Sequence, residues 1–333
     1  MAGVQGSTLA IAVSQAGGLG SLPCAILGPD QIQQELKAIT AATSRPYNVN
    51  FFVHRQPDPE PDRVAGWQDL LAPYYEELGV ERTSVAAGPA RLAFDHDAAD
   101  VLEAFKPPVV SFHFGLPSSQ LMARVKGWGS KIISSATTVD EARYLEANGV
   151  DAVIAQGLEA GGHRGMFLTA DLNTQTGTFA LVRQIAAAVK IPVIAAGGIA
   201  DSRGAFAAMV LGASGVQVGT AYLLCPEAAT SKVHRAALKS VAARVTAVTN
   251  VFTGRPARAI VNRLIREIGP MSAAAPAFPL AAAAVLPLRS KAEGLGSGDF
   301  TSMWAGQSAP LCREWNAAEL TQDFLDAKVT RGS

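Results

Sequence analysis

The sequence is poor in cysteine, in net charge and in long apolar runs. Its three cysteines, Cys24, Cys225 and Cys312, form no CxxC pair and no metal-like spacing with the five histidines, which predicts a reduced cytoplasmic setting and no metal site. Lys+Arg and Asp+Glu both total 28, so no net charge is available to attract nucleic acid or an anionic membrane. Neither is therefore expected as a partner.

Signals for export or membrane insertion are also scarce. The first 20 residues contain no Lys or Arg, so the n-region of a signal peptide is lacking. The longest alanine-rich apolar stretch, around Ala281–Leu288, is far shorter than the roughly 20 residues that a membrane span needs. The chain instead has 333 residues, 49% of them hydrophobic, which is enough for a large barrel core and an additional subdomain.

Short apolar runs alternate with helical periods from the first predicted helix, Ser7–Gln15, to about residue 220. The candidate strands are Gly18–Cys24, Tyr47–Val53, Val109–Phe114, Lys131–Ser135, Asp151–Ala155, Val193–Ala196 and Gly215–Val218. The candidate helices between them are Pro29–Thr43, Pro117–Lys126, Val139–Asn148, Phe179–Val189 and Ser202–Leu211. Continuous apolar strands separated by helices predict a parallel sheet covered on both faces, here a (β/α)8 TIM barrel.

The organisation at the two ends of the chain differs from this rhythm. An eighth strand would have to precede Ser7–Gln15, where only Met1–Val4 stands, so we favour a start inside a longer natural sequence. After residue 220, Ser231–Val245, Pro256–Ile268 and Leu280–Glu293 are predicted to be helical. We therefore expect a cofactor-binding barrel over residues 1–222, a mostly helical cap over 223–310 and a segment, 311–333, that packs back on the barrel.

A glycine-rich loop, Gln156–Gly165, follows the predicted strand Asp151–Ala155. Its four glycines allow the backbone to approach a flat ligand and to adopt positive φ. His163 lies in this loop at the carboxyl end of a strand, where barrel enzymes place catalytic groups, and its ordinary pKa suits acid–base work near neutral pH. A loop histidine that merely bonds its neighbours is the alternative, and the glycine setting favours catalysis.

Two further glycine motifs end the last two predicted strands. Gly197 and Gly198 follow Val193–Ala196, and Gln217-Val218-Gly219-Thr220 follows about 20 residues later. Backbone amides after strands seven and eight form the usual phosphate site of this fold, and the Thr220 hydroxyl is expected to cap the next helix. Neither G-x-G-x-x-G nor G-x-x-x-x-G-K-[ST] occurs in the expected context, which disfavours a Rossmann fold or a P-loop.

Other polar residues are candidates for the pocket wall. Strand alternation places Asn48, Asn50 and Phe52 on one face, from which an asparagine amide can reach a ring carbonyl or cap the next turn. His113 is a second candidate wall residue, although core packing is the preferred interpretation. The remaining histidines lie in polar sequence surroundings and receive no function: His54, His96 and His234.

Several of these motifs resemble the class I nitronate monooxygenases, formerly called 2-nitropropane dioxygenases. Gln156–Gly165 matches the family signature Q-G-x-E-A-G-G-H-x-G, and Met1–Val4 is similar to the end of the motif A-P-M-x-G-V. The resemblance continues in Asn48–Phe52, Ala195–Ile199, Gln217–Thr220, Gly298–Phe300 and Trp304–Gln307. It covers nearly the whole chain.

This resemblance implies an FMN-dependent oxidation of alkyl nitronates, such as propionate 3-nitronate, by O2 to a carbonyl compound and nitrite. It makes His163 the catalytic histidine, which either deprotonates a nitroalkane or holds the nitronate anion. With the glycine loops, it gives these FMN contacts: Met1, Asn50, Gln156, Gly161, Gly162, Gly197, Gly198, Gln217, Val218, Gly219, Thr220, Trp304 and Gln307. The substrate side, within Ala277–Leu288, holds Phe278 and alanines but no tyrosine or charge, so it does not identify the substrate.

Other functions are compatible with the same loops. FMN-dependent enoyl-[acyl carrier protein] reductases, which use NADH, have a similar E-A-G-G-H loop, and an NADH:quinone reductase is a weaker alternative. A non-catalytic flavin-binding barrel and a cofactor-free barrel for a sugar phosphate belong to different classes. The sequence leaves the oligomeric state open, a homodimer included.

Overall fold

A seven-stranded parallel sheet forms the centre of the protein. The computed structural model describes residues 3–82 and 91–326. The strands of this sheet are β1 (Gly20–Pro23), β2 (Tyr47–Phe52), β3 (Val109–His113), β4 (Lys131–Ala136), β5 (Ala152–Gln156), β7 (Val193–Ala196) and β8 (Gly215–Gln217), in the order β1-β2-β3-β4-β5-β7-β8. A second, antiparallel sheet consists of β6 (Gly162–His163), β10 (Ala257–Ile260) and β9 (Thr246–Thr249), in the order β6-β10-β9.

Helices surround the curled sheet and cover one end of it. They are α1 (Ser7–Gln15), α2 (Pro29–Ala42), α3 (Pro61–Leu78), α4 (His96–Phe105), α5 (Ser119–Gly127), α6 (Val139–Ala147), α7 (Thr178–Ala188), α8 (Ser202–Val210), α9 (Lys232–Leu238), α10 (Arg263–Ile268), α11 (Ala281–Gly294) and α12 (Ala317–Leu325). This arrangement is TIM-barrel-like and confirms the predicted fold class. None of the described helices has both the length and the apolar character needed to cross a membrane.

The parallel sheet is held by apolar residues in register. Val49 on β2 pairs with Val110 on β3, which pairs with Ile132 on β4, and none of the three has any exposed surface. Helix residues such as Leu36 and Ile185 pack on the outside of these strands and are equally buried. A parallel sheet needs this cover on both faces, and the continuous apolar runs in the sequence therefore located all seven strands.

The gap between β8 and β1 is where an eighth strand was expected. Among the described residues, β1 pairs only with β2, and β8 pairs only with β7. Gly3 and Val4 lie in a turn, and the Val4 carbonyl accepts a hydrogen bond of 3.0 Å from the Ala229 amide. Met1, predicted to touch the cofactor, is outside the described residues.

The prediction of a helix over Pro256–Ile268 was wrong in its first half. Ala257–Ile260 is strand β10, which pairs with β9 on one side and with the His163 strand β6 on the other. Only Arg263–Ile268 is helical. All four residues of β10 are buried, the charged Arg258 included, so residue polarity does not mark an exposed face by which a strand pattern could be distinguished from a helical one.

The apolar cover over the barrel mouth combines two distant parts of the chain. Helix α3, which the sequence analysis did not predict, packs against α11 through Trp67, Leu71 and Tyr75. The Trp67 indole N–H donates to the Ala281 carbonyl at 3.2 Å, and the Tyr75 hydroxyl donates to the Ala284 carbonyl at 2.5 Å. Residues 61–78 thus share one hydrophobic core with the segment 246–304.

The last described helix, α12, lies on the barrel exterior next to α1 and α8. The Ser202 amide donates to the Asp323 carboxylate at 3.0 Å, and the Thr321 and Tyr222 hydroxyls lie 2.9 Å apart. The Gln322 side-chain amide donates to the Ala16 carbonyl at 2.6 Å. These bonds join the end of the described chain to its beginning.

Candidate active site

His163 lies inside an aromatic cage at the carboxyl ends of the barrel strands. It is 8% exposed, and its Nε2 is 2.9 Å from the Thr253 hydroxyl oxygen. The cage is made of four rings whose centroids lie 5.2–6.1 Å from the imidazole centroid: Trp304, Phe278, Phe52 and Phe114. Such a pocket excludes water, so a proton acceptor within it has little competition from solvent.

Gln156, at the end of β5, fixes the backbone around His163. Its side-chain N–H donates to the His163 carbonyl at 2.9 Å, and its side-chain oxygen accepts from the Gly165 amide at 2.7 Å. The His113 Nε2 lies 3.1 Å from the same His163 carbonyl. The predicted cofactor contact of Gln156 would therefore come from an amide that also positions the histidine loop.

Arg164 anchors the same loop from the protein interior. Its side chain has no exposed surface, and it donates to the Gly157 carbonyl at 2.7 Å and the Gln156 carbonyl at 2.8 Å. Its Nε donates to the Gln175 side-chain oxygen at 3.0 Å. A buried guanidinium with three acceptors is a strong constraint on backbone position. His163 is the neighbouring residue, so its position depends on these bonds.

The ends of β2 and β3 supply the remaining predicted wall. Asn48 and Asn50 share an inward face, as expected, because both side-chain amides donate to the Ser111 hydroxyl at 2.8 Å. Phe114 has φ of +76°, a conformation that bulky residues rarely adopt and that recurs at functional sites. This backbone turn directs its ring into the cage next to Phe52, at 4.7 Å between centroids.

His113 and His54 both lie at this wall. His113 is half-buried and packs against the cage, with its ring 4.5 Å from that of Phe114 and its Nδ1 3.0 Å from the Ser135 hydroxyl oxygen. His54 is 7% exposed and lies 4.8 Å from Phe278 between ring centroids. Its polar sequence neighbours therefore gave the wrong environment, because the residue is buried beside the cage.

The segment 304–308, which contains predicted cofactor contacts, lies against all three glycine loops. A Cβ on Gly161 would lie 2.6 Å from the Ala305 carbonyl carbon, so only glycine permits this approach. The Gly306 amide donates to the Thr220 hydroxyl at 3.0 Å, and the Ser308 hydroxyl donates to the Gly198 carbonyl at 2.6 Å. Thr220 does not cap the following helix, because its hydroxyl accepts this bond instead.

The glycine loops present amide donors without partners. Gly197 and Gly198 have φ of +115° and +72°, which curves the chain so that successive N–H groups face the same way. Among the described residues, the N–H groups of Gly198, Gly219 and Thr220 donate to no acceptor. Free amide hydrogens at the ends of β7 and β8 are suited to a phosphate group. These residues therefore fit the phosphate end of a flavin nucleotide.

The electrostatics of the cage keep its histidines neutral. Burial, and next the charge of Arg91, hold the pKa of His163 well below its usual value of 6.5. Burial likewise lowers the pKa of His54 to about 4 and that of His113 to about 3. A neutral imidazole has one ring nitrogen without hydrogen, which accepts a proton, but it has no charge with which to bind an anion.

These shifts predict that the folded protein loses stability in mild acid. The unfolded histidines titrate near 6.5, whereas His54 and His234 have folded pKa values of about 4. The unfolded state then binds more protons below pH 6.5, so stability falls with falling pH, by about 1–2 kcal/mol per buried histidine between pH 7 and 5. Urea unfolding at the two pH values measures this loss.

A matched variant makes the measurement specific. His54→Gln removes one of the contributing groups, so the loss between pH 7 and 5 should be smaller in this variant than in the parent protein. Carboxylates with lowered pKa values titrate below this window. Equal stability at both pH values would contradict the neutral-histidine description.

Four residues of the site escaped the sequence analysis. Thr253 and Arg255 lie just before β10, between two predicted helices, and Arg91, which follows α3 in the chain, contacts the ring of Phe278. The charge that Ala277–Leu288 lacks is thus supplied by distant segments. Only His54 had a usable signal, because it directly follows the predicted strand Tyr47–Val53.

Metal ligands are not assembled at this site or elsewhere in the described part of the chain. No group of three or more His, Cys, Asp or Glu residues within it is arranged to hold an ion.

Comparisons with known proteins show which family this chain resembles. The family model described as nitronate monooxygenase matches residues 1–326. The chain belongs to the nitronate monooxygenase family. It is 41% identical to the nitronate monooxygenase of Pseudomonas aeruginosa over 98% of this chain and 93% of that protein. It is therefore an oxidoreductase, and the family is flavin-dependent.

Solved structures agree with this assignment to the nitronate monooxygenases. The nitroalkane oxidase of Streptomyces ansochromogenes aligns with a TM-score of 0.89 and 38% identity, covering 98% of this chain and 94% of that chain. FabK of Thermotoga maritima aligns with a TM-score of 0.73 and 31% identity, covering 98% and 90%. The predicted family is therefore confirmed, and the alignments extend over nearly the whole chain.

Proposed function

We propose that this enzyme oxidises alkyl nitronates, such as propionate 3-nitronate, with O2 to a carbonyl compound and nitrite, and that its flavin is FMN. The observation that carries the proposal is the neutral, caged imidazole of His163 beside the amide-lined cradle. FMN, when bound, supplies the electron acceptor for the substrate and the electron donor for O2. The protein supplies binding, orientation and a dry pocket.

The proposed FMN site uses the predicted loops. The free N–H groups of Gly198, Gly219 and Thr220 would hold the phosphate. Asn50 and Gln156 lie near the strand ends where the ring system would contact side-chain amides, and the Trp304 ring lies 5.2 Å from that of His163 between centroids. Gly161, Gly162, Gly197, Gln217, Val218 and Gln307 complete the proposed set on the three loops.

His163 is the proposed proton acceptor. A preformed nitronate needs no proton transfer. When the substrate arrives as the neutral nitroalkane, the imidazole, which its lowered pKa keeps neutral at physiological pH, takes the proton from the carbon next to the nitro group. The hydroxyl of Thr253 fixes the ring orientation at Nε2, and Gln156 holds the backbone carbonyl. The four aromatic rings exclude water, which would otherwise protonate the carbanionic carbon again.

Anaerobic mixing tests the proposal against the NADH-dependent alternatives. Purified enzyme with a flavin absorbance spectrum is mixed separately with a nitronate and with NADH, and the bleaching near 450 nm is recorded. The nitronate should bleach the flavin in seconds, and NADH should not. Rapid bleaching by NADH with no response to nitronate would favour an enoyl reductase or a quinone reductase instead. Extraction and mass measurement of the released flavin identifies FMN.

A further inference from the structure

Two arginines stack on rings of the aromatic cage. The Arg255 guanidinium carbon lies 3.8 Å from the Phe114 ring centroid, and the Arg91 guanidinium carbon lies 5.6 Å from the Phe278 ring centroid. Both side chains are partly withdrawn from water, and burial lowers the pKa of each to about 10. Both therefore remain cationic at neutral pH, in a place where a positive charge is costly without a partner.

Neither arginine has a carboxylate partner in the described part of the chain. Arg255 donates to the Met166 carbonyl, and Arg91 makes no side-chain hydrogen bond to a described residue. The adjacent residues 83–90 contain no Asp or Glu in their sequence. Glu141 attracts Arg255 only at longer range, because its oxygens already accept bonds from Thr137 and the backbone amides of residues 167 and 168.

Unsatisfied nitrogen atoms lie at the same place. Arg255 Nε and His54 Nδ1 are buried and have no hydrogen-bond partner among the described residues. His54 contacts Phe278 and lies 6.4 Å from Phe114 between ring centroids, so it faces the two rings that the arginines cover. Buried polar groups nearly always have partners in native proteins, and two such orphans beside two unpaired cations indicate a missing acceptor with negative charge.

We propose that Arg91, Arg255 and His54 form an anion-binding subsite beside the cage, which receives a carboxylate on the substrate and makes the enzyme selective for nitronates with a second anionic group. This inference rests on the proposed function for the reacting end of the substrate. Guanidinium groups bind carboxylates through paired, charge-assisted hydrogen bonds, and Arg255 Nε is a donor that no described residue uses.

Unreactive carboxylates test the subsite without any turnover. A nitronate group and a carboxylate are both planar anions with two oxygens, so succinate imitates a nitronate with a second carboxylate, and butyrate imitates one without it. Dissociation constants of both are measured by titration calorimetry on the flavin-loaded enzyme, in which the cofactor's phosphate occupies its own site. Succinate should bind about 10–100-fold more tightly than butyrate.

Variants of the two arginines test whether these side chains cause the tighter binding of succinate. Arg255→Met and Arg91→Met should each reduce the succinate-to-butyrate ratio by about tenfold or more, and Arg255→Lys should retain part of it. Arg143→Met is the matched control, since Arg143 is exposed on α6. If Arg255→Met fails to fold, Arg91→Met decides, because Arg91 makes no described side-chain hydrogen bond. Equal binding of both ligands, or a ratio unchanged in the variants, would overturn the subsite.

A kinetic comparison separates this inference from the proposed function. Values of kcat/KM are measured for propionate 3-nitronate and for propyl-1-nitronate in the same variants, and only the former should fall with the arginines. If neither nitronate is turned over but succinate still binds more tightly than butyrate, the reaction was misassigned and the subsite stands. If both nitronates are turned over with equal efficiency and succinate binds no more tightly than butyrate, the subsite is wrong and the reaction stands.

Discussion

Replacement of His163 by alanine should reduce kcat/KM for nitroethane by about 10²- to 10⁴-fold, the usual contribution of a positioned general base. The reaction of a neutral nitroalkane requires removal of a proton from carbon, and His163 is the imidazole enclosed by the cage rings. The preformed anion ethylnitronate needs no such step. Its kcat/KM should fall by about tenfold or less, since a neutral imidazole contributes only a hydrogen bond to it. Nitrite release and oxygen consumption measure both reactions.

Two results would contradict this role for His163. Equal losses for nitroethane and ethylnitronate would mean that the residue binds the anion and does not remove a proton. Unchanged turnover of both would make it structural, and no turnover in the parent protein would favour a non-catalytic flavin-binding barrel. The exposed His96, at the start of α4, supplies the control His96→Ala, whose kinetics should match those of the parent.

The second large effect concerns stability. Arg164→Met should lower the free energy of unfolding by about 3–5 kcal/mol, as expected when a buried charged donor is removed from its acceptors. Methionine fills much of the volume but leaves the carbonyls of Gln156 and Gly157, and the side chain of Gln175, without their donors. Urea denaturation at pH 7 measures the change. Because the same loop contains His163, the variant should also lose activity at temperatures where it remains folded.

A matched arginine on the surface controls for general effects of the substitution. Arg143→Met changes an exposed residue whose ion pair with Asp140 is weak, because the two charged atoms lie 4.0 Å apart at the surface. The free energy of unfolding should therefore change by less than about 0.5 kcal/mol. A loss below about 1 kcal/mol in Arg164→Met would show that the loop is held by other contacts. The position of His163 would then need a different explanation.

The parallel sheet could be predicted because its signal is local. Buried strands such as Val109–His113 and Ala152–Gln156 appear in the sequence as continuous apolar runs between amphipathic helices. β10 could not be identified in this way, since Ala257–Ile260 is a strand only through its pairing with β6 and β9. Helix α3 shows the same limit, because its apolar face is completed by α11, about 200 residues further along the chain.

The residues of the site were likewise predictable only where their signal in the sequence is local. The loop Gln156–Gly165 could be recognised because close backbone approach and positive φ restrict the residue type, and glycine records that restriction in the sequence. Arg91, Arg255 and His54 leave no such record, because an arginine or histidine in a loop has many ordinary roles. Their meaning depends on the rings of Phe114 and Phe278 that lie beside them.

By itself, the sequence determined the barrel class, the family, the glycine loops and the position of His163 at a strand end. These properties follow from short-range constraints, namely strand apolarity, glycine conformation and motif spacing. Only the tertiary structure decided that His163 is neutral and caged, that Arg164 is buried beneath it, and that two unpaired arginines lie nearby. Burial and charge are sums over neighbours in space, and those neighbours come from segments up to 200 residues apart in the chain.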